Sequence, residues 1–570
     1  QITKQDTKGI HTHHQLNCYR IRKSSIMNSI DSNEITKPTP TRLRKVTIMT
    51  TGSRGDIQPF VAIGLALKRK GYVVRILTQP SSTHQKLCND YGLEHVPFGI
   101  DVDAFMRDDT ACRASMEQGN TLNFFKCIAD IVSQSPEANC RPFYDNVITG
   151  NHRPDLLIVS FLNRCFGLYA KHVLNIPTIE IKMQHWVFDD PSRAPMGMPT
   201  LPLGLHRAIQ TKLMIPQDYK NFQTYTKCIA EISASKAKAG TASPIPIRLE
   251  DFLLYDQFFD SEVNHAPLLP LFVTQSPLFK DVLCPHVPTS PNFRFVGPTI
   301  IETPDQAAPS FGGDTSKTRL EAFLASDPSR KPIYIGWGSM IRKSTHEMVL
   351  FAVEALRESH QRGIVLGGLA GLSMKVLEDA VAAVSSDNND DGGSGEQLQL
   401  LEYAKENILF VDKAPHEWLF PQVSLTVHHG GAGTTNSALR AGVPTIVTPV
   451  FGDQYDNSFV VQKLGVGFGF EKKLQDIEAH DLAQTIDAVL KDPAIVNKAK
   501  QVGAKLRHDN ENGCQVIVKE IETYWRDTVT SGNFRIQVQN WKAATIYMKS
   551  SNETKKILRN RVVVGSALAV

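Results

Sequence analysis

Three things are missing from this chain. No CxxC pair occurs among its nine cysteines, which stand at 18, 88, 112, 127, 140, 165, 228, 284 and 514. That scatter disfavours both a disulfide framework and a zinc site, and it points to a reducing compartment. No apolar run approaches the roughly 20 residues needed to span a bilayer, and no signal-peptide pattern opens the chain. Charge of one sign is missing too: 62 Lys and Arg stand against 58 Asp and Glu, a net charge of +4. A balance this even does not argue for a nucleic-acid partner. What is present is the composition of a soluble globular protein, 41% apolar and 21% charged. At 570 residues the chain is too long for one ordinary core. Two domains of roughly 200 to 250 residues are expected.

Residues 1–44 are polar and lean basic, and they read as a disordered leader. The chain opens on Gln1, which reads as a start that is missing or processed. Lys45 to Thr50 (KVTIMT) predicts a buried strand, followed by a glycine loop from Thr51 to Asp56. A helix is expected from about Pro59 to Lys70 with proline in its first turn, then a strand from Tyr72 to Thr78. This is a βαβ unit with a loop at the carboxyl end of its first strand, where open α/β sheets bind ligands. A second cycle starts at Pro332, with a strand at 333–337, a loop Gly338-Ser339-Met340 and a helix at 345–362. Further strands are expected at 363–366, 408–411, 423–428 and 444–448. Ser385 to Glu396 reads as a low-complexity surface insertion, and 284–315, rich in Pro, Gly and Thr, as a linker. The expected organisation is a leader at 1–44, one α/β domain at 45–300, a second at 301–528, and a disordered basic tail at 529–570. A membrane-surface patch is the alternative reading of that tail.

The densest chemical signal is His428-His429-Gly430-Gly431-Ala432-Gly433-Thr434-Thr435, with Phe451-Gly452-Asp453-Gln454 further on. An apolar run, Val423 to Val427, leads into glycines, and two hydroxyls precede a helix-like run from Asn436 to Ala441. Backbone N–H groups at a helix start converge on phosphate oxygens, glycines let the phosphate approach, and a histidine adds a proton donor. An acid and an amide side by side, Asp453 and Gln454, suit the reading of sugar hydroxyls.

Taken together, GSRGDIQPFVAIGLALKRKGY at 52–72, PIYIGWGSM at 332–340, APHEWLFPQ at 414–422, and HHGGAGTT with FGDQ resemble family 1 glycosyltransferases of the GT-B fold. The likeness is greatest to the sterol 3-beta-glucosyltransferase group and related bacterial antibiotic glycosyltransferases, and it covers roughly residues 45–525. It implies two Rossmann-like parallel-sheet domains facing a central cleft. It also implies inverting, metal-independent transfer of glucose from UDP-glucose to a hydroxyl, with the sugar nucleotide as co-substrate and no cofactor. The acceptor side would be the first domain.

On that resemblance Asp56 is the candidate base, standing where many plant members place a histidine. Those enzymes orient the histidine with a distant aspartate. The comparable strand here, Leu156 to Val159, runs into Ser160-Phe161 without a carboxylate, consistent with a lone aspartate. An N-cap role is the alternative for Asp56. Ser53, Arg54 and Ser339 are expected at the donor or its phosphates, a solvated loop cation being the alternative for Arg54. His429 would donate to a phosphate oxygen, with Gly431, Ala432, Gly433 and Thr434 offering N–H groups and the Thr434 hydroxyl. His428 points to the other face and reads as structural. Lys413, Ala414, Pro415 and His416 occupy the nucleobase stretch, Lys413 standing where plant members have a stacking tryptophan. His416 reads equally as the opening residue of a short helix carrying Trp418 and Leu419. Asp453 and Gln454 would read glucose, with a helix N-cap as the alternative for Asp453. His185, Trp186, Met196, Met198, Leu201 and Leu203 lie where acceptor loops are expected, with core or hinge packing as the alternative. The expected acceptor is a sterol or similar lipid met at a membrane surface by a cytoplasmic protein. A terpenoid, polyketide or xenobiotic acceptor is the alternative, as is an inactive nucleotide-sugar-binding sensor.

Overall fold

In the computed structural model, β1 (Lys45–Met49) buries every residue after Lys45, as a parallel strand covered on both faces requires. The model describes residues 43–150, 153–184, 194, 200–202, 205–236, 269–283, 285, 293–302, 312–387, 393–509 and 512–539. Leu43–Tyr524 form one compact unit, and Trp525 begins another.

After β1 the chain enters α1 (Arg54–Arg69) five residues before the start expected at Pro59. Ser53 and Asp56 form a capping box, which satisfies the first orphan N–H groups and lets the helix begin there. Pro59 therefore lies inside the helix, and the carbonyl it cannot bond is that of Gly55, an exposed residue. Ile57, Phe60, Val61, Ile63, Gly64 and Leu67 form the buried face, and Gly71 at φ +88° ends the run. There follow β2 (Val73–Thr78), α2 (Ser82–Asp90), β3 (Glu94–Pro97), α3 (Val102–Asp108), α4 (Thr110–Glu117) and α5 (Thr121–Gln134). The sheet is completed by β4 (Leu156–Ser160), β5 (Thr178–Lys182), β6 (Leu271–Val273) and β7 (Phe293–Phe295). All seven strands are parallel, in the order β3-β2-β1-β4-β5-β6-β7. The stretch read as a linker thus contains β7, three residues long and too short to show a period.

The second sheet takes β8 (Ile333–Gly336), β9 (Gly363–Leu366), β10 (Ile408–Val411), β11 (Leu425–His428), β12 (Thr445–Val447) and β13 (Gly467–Gly469). It is also parallel, ordered β10-β9-β8-β11-β12-β13. Two helices matter for the site, α6 (Ala432–Ala441) and α7 (Gln454–Leu464), and α8 (Gly513–Tyr524) closes the unit. The stretch read as a surface insertion is invaded from both sides, by helices Met374–Asp387 and Gly393–Asn407. Residues 388–392, between those helices, lie outside the described residues.

Both sheets reverse direction at one place, between β1 and β4 in the first and between β8 and β11 in the second. Ligands of open α/β sheets bind at that switch point, outside the carboxyl ends of the strands. The halves also interlock. Met116, Phe124, Val102 and Met106 of the first half share a buried cluster with Met340, Ile341, Val450 and Phe451 of the second. Gln475 Nε2 donates to the Met116 carbonyl at 3.0 Å, and the Lys343 N–H donates to that of Glu117 at 3.1 Å. In the other direction α8 packs on α1, with Glu520 on Arg294 at 2.6 Å and Tyr72 donating to Glu522 at 3.1 Å.

In the unit that begins at Trp525, residues 525–530 form a π-helix and 533–539 an α-helical turn, with Phe534 and Val538 one turn apart. The part of the expected disordered tail that lies at 529–539 is therefore folded. Residues 540–570 and the leader before Leu43 lie outside the described residues.

Candidate active site

The site is assembled from the loops at the two switch points. At the end of β1, Gly52 adopts φ +133°, and a Cβ there would lie 2.3 Å from Asp56 Oδ2. Only glycine lets the carboxylate fold back this closely. Oδ2 then accepts from the Ser53 N–H at 2.8 Å and the Ser53 hydroxyl at 3.1 Å. Among the described residues Oδ1 has no hydrogen-bond partner, so one oxygen is anchored and the other is available. Burial pushes the Asp56 carboxyl up to about 6; the Ser53 bonds oppose this, Asp103 adds to it and His84 opposes it. At the end of β4, where no carboxylate occurs, Asn163 takes the position: its amide donates to Thr51 at 3.1 Å and accepts from Ser160 at 2.8 Å. An amide in place of an acid leaves no mark in the sequence that would single out Asn163.

At the end of β11, α6 opens at Ala432, four residues earlier than expected, with Gly431 as N-cap and no side chain capping it. Ala432, Gly433 and Thr434 are thus the first three helical residues. No side chain lies near Gly433: a Cβ there would meet nothing within 4 Å. These N–H groups form an uncapped positive helix end, open to an anion. A Cβ on Gly431 would lie 2.4 Å from His429 Nε2, so the imidazole rests directly against the glycine. Burial pulls His429 down to about 4, with the Gly336 carbonyl opposing. Gly338, after β8 and just before Ser339, borders the same ring, a Cβ on Gly338 falling 3.2 Å from His429 Cε1. His428 is buried, with Nδ1 accepting from the Gly430 N–H at 3.0 Å, a structural role as expected.

Two cations meet from opposite halves. Burial holds the Lys413 ammonium below its usual range, and Arg54 and Lys86 lower it further. The Arg54 guanidinium is itself held down by burial while donating to Gln58 at 3.2 Å. Asp90 acts on both cations in the opposite sense, and Asp412 on Lys413. Ala414 and Pro415 are buried beside Lys413. Of the two readings of His416, the structure shows the opening residue of a short helix, His416–Leu419: its Nε2 pairs with the Tyr334 hydroxyl at 2.9 Å and its ring stacks on Phe420 at 4.5 Å. Its side chain is committed within the second half, which leaves backbone groups of this stretch for a base.

Asp453 stands at the N-cap position of α7 without a side-chain capping bond, and burial, then Asp456 and Asp56, push its carboxyl up to about 7. Asp56, from the other half, is thus among the groups that act on Asp453. Gln454 is placed otherwise than expected. Its Oε1 accepts from the Val450 and Phe451 N–H groups at 2.8 and 3.3 Å, clamping the loop before Asp453. Phe451 also stacks on Phe124 of α5 at 4.6 Å. A further tie missed in the sequence is Asn436 of α6, which donates to Gln275 beyond β6 at 2.7 Å, while Gln275 donates to the Met183 carbonyl. No local pattern signals such pairs, whose members are 161 residues apart. His185, Trp186, Met196, Met198 and Leu203 lie outside the described residues.

Comparison with known proteins bears on the same two loops. The model "Glycosyltransferase family 28 N-terminal domain" matches residues 46–136. The model "Erythromycin biosynthesis protein CIII-like, C-terminal domain" matches residues 393–522. The two parallel-sheet halves have the GT-B fold, and the sequence is similar to the sterol glucosyltransferases. It is 26% identical to the sterol 3-beta-glucosyltransferase of Pichia angusta over 494 residues, 85% of this chain and 34% of the relative. It is 27% identical to that of Cryptococcus neoformans over 503 residues, 86% of this chain and 27% of the relative. The chain thus spans about a third or less of the length of these curated relatives. Among solved structures, the glycotransferase of kitacinnamycin is 16% identical with a TM-score of 0.51, over 84% of this chain and 99% of its own. That likeness is one of fold. Among the described residues no helix is long and apolar enough to cross a membrane.

Proposed function

We propose that this chain transfers glucose from UDP-glucose to the hydroxyl of a sterol or similar hydrophobic lipid, with inversion and without a metal. The observation that carries the reading is the pairing of a half-anchored aspartate at the first switch point with an open helix end at the second. The sterol acceptor is taken from the relatives' names. In this reading Asp56 Oδ1 takes the proton of the acceptor hydroxyl as its oxygen forms a bond to the anomeric carbon. The bond from that carbon to the diphosphate oxygen breaks, and UDP leaves with the electron pair. The first turn of α6, the Thr434 hydroxyl, His429 and Ser339 receive the leaving diphosphate, and Arg54 and Lys413 add charge. A helix end contributes about 0.3–2 kcal/mol toward an anion, and several aligned donors add to it, so a cation is not required. Lys413, Ala414 and Pro415 hold the nucleobase end. Asp453 orients the sugar, and Gln454 fixes the loop that carries it. The protein works in the cytoplasm, meeting its acceptor at a membrane surface.

The decisive experiment incubates the protein with UDP-glucose and a lipid extract and looks for hexose-shifted products by mass spectrometry. A sterol glucoside made by the wild type, absent with Asp56→Asn and unaffected by EDTA, supports the reading. A β-linkage from the α-linked donor supports inversion. A hexose-shifted product without a sterol skeleton overturns the acceptor assignment and leaves the chemistry. UDP-glucose that is bound but never turned over overturns the enzyme.

A further inference from the structure

The loop that carries Asp56 is gripped from both sides. β1 lies between β2 and β4 in the sheet, and a buried amide reaches the loop from the carboxyl end of each neighbour. On the β2 side stands Gln79, directly after Thr78 and fully buried, and its Oε1 accepts from the Gly52 N–H at 3.2 Å. On the β4 side stands Asn163, whose Nδ2 donates to the Thr51 hydroxyl at 3.1 Å while the Ser160 hydroxyl holds its Oδ1. The two bonds fall on consecutive residues of the loop. Glycine is the residue least able to fix its own torsions, so the φ of +133° at Gly52 has to be held from outside. That angle is what lets Asp56 Oδ2 lie where a Cβ of residue 52 would be and accept from the Ser53 N–H. Gln79 is itself fixed, its backbone carbonyl accepting from the Ser81 N–H at 2.8 Å. Its amide is half idle: among the described residues Nε2 has no hydrogen-bond partner. A buried donor left without a partner costs stability, so what the amide supplies here is its single bond to the loop.

We propose that Gln79 and Asn163 are positioning residues for the base: one amide from each flanking strand sets the turn at Thr51-Gly52, and the turn sets where Asp56 presents its free oxygen. Neither amide bonds to Asp56 directly. Gln79 acts on the N–H of the glycine against which the carboxylate folds, and Asn163 on the residue before it. A misplacement of about 1 Å can slow a reaction about a hundredfold. A loop built of a threonine, a glycine and a serine is therefore a poor support for a base unless it is held at two points. The proposal rests on Asp56 being the base, and it deepens the reading above.

The test is a double-mutant cycle on the glucosylation of cholesterol in detergent micelles, beside hydrogen exchange of residues 50–57 followed by mass spectrometry without substrate. Gln79→Met keeps the length of the side chain and removes its oxygen. Its kcat is expected to fall about 10–100-fold, with calorimetric binding of UDP-glucose little changed and the loop amides exchanging faster. In an Asp56→Asn background the same change is expected to alter kcat by less than about twofold, because there is then no base to place. Thr51→Val removes the hydroxyl that Asn163 holds. It is expected to show the same pattern with a smaller loss, and it carries the test should Gln79→Met fail to fold. A purely structural role would lower the rate equally in both backgrounds. Loop exchange that stays at the wild-type rate, or a loss of kcat undiminished by Asp56→Asn, overturns the proposal. Faster exchange in a protein that makes no glycoside sinks the proposed function and leaves the grip on the loop standing. Glycoside formation that needs Asp56 but loses nothing in Gln79→Met and Thr51→Val does the reverse.

Discussion

The two halves of the molecule begin their functional helices in the same way and finish them differently. Both follow a central strand at a switch point, and both start with a loop residue as N-cap. In α1 the third helical residue is Asp56, whose own carboxylate closes the helix end against Ser53. In α6 the third helical residue is Thr434, the cap is Gly431, and no side chain closes the end. One helix has filled its anion site with a residue of its own; the other has left it for something outside. A single local structure thus provides a fixed acid on one wall and a receptive cradle on the other. α1 and α6 pack against each other across the cleft, so the two ends work as a pair.

The contrast is broken most severely at the closed end. Asp56→Asn should lower kcat by about 10²–10⁴ with donor affinity little changed, because the amide can still accept from Ser53 but cannot take a proton. Steady-state kinetics beside calorimetric binding of UDP-glucose measures both. Next comes the converse, closing the open end. Thr434→Asp places a carboxylate where α1 has Asp56, and the donor KM should rise about 10–100-fold. An unchanged KM would mean that the diphosphate does not use this helix.

Titration of the base gives a smaller and more pointed effect. Since the base works deprotonated and burial raises it to about 6, kcat/KM should be flat above that pH and fall tenfold per unit below it. Asp453→Asn should lower the maximum rate and leave this limb in place, since burial, Ser53, Asp103 and His84 set Asp56. A limb that moves by about a unit or more would show that Asp453 governs the base. The smallest effect concerns the tie that holds the open helix to the first half. Asn436→Ala leaves Gln275 Oε1 buried without its partner, which should cost about 1–3 kcal/mol in urea unfolding.

The sequence was legible where a motif is local and short of side chains. The loops at 52–56 and 428–435 were placed at strand ends because glycines and a buried run announce such turns. Their helices begin earlier than the sequence suggests, at Arg54 and Ala432 rather than at Pro59 and Asn436. A proline and a threonine pair looked like beginnings, whereas the caps at Ser53 and Gly431 decide the matter. β7 went unseen because three residues carry no period. The helix that opens at His416 is legible in the sequence, whereas the side-chain partners of His416 and Gln454, Tyr334 and the Val450–Phe451 backbone, are set by packing.

The stacking of Phe124 on Phe451 has a practical side for protein engineering. In a two-domain transferase it is tempting to exchange halves between relatives, one half for the acceptor and one for the donor. Here the loop bearing Asp453 is braced by α5, and the turn at Lys343 by α4, both encoded before β4. A chimera cut near residue 300 would graft the sugar-reading loop away from its brace. The exchangeable cassette is therefore interleaved: residues 102–134 should travel with the second half, and α8, which rests on α1, with the first.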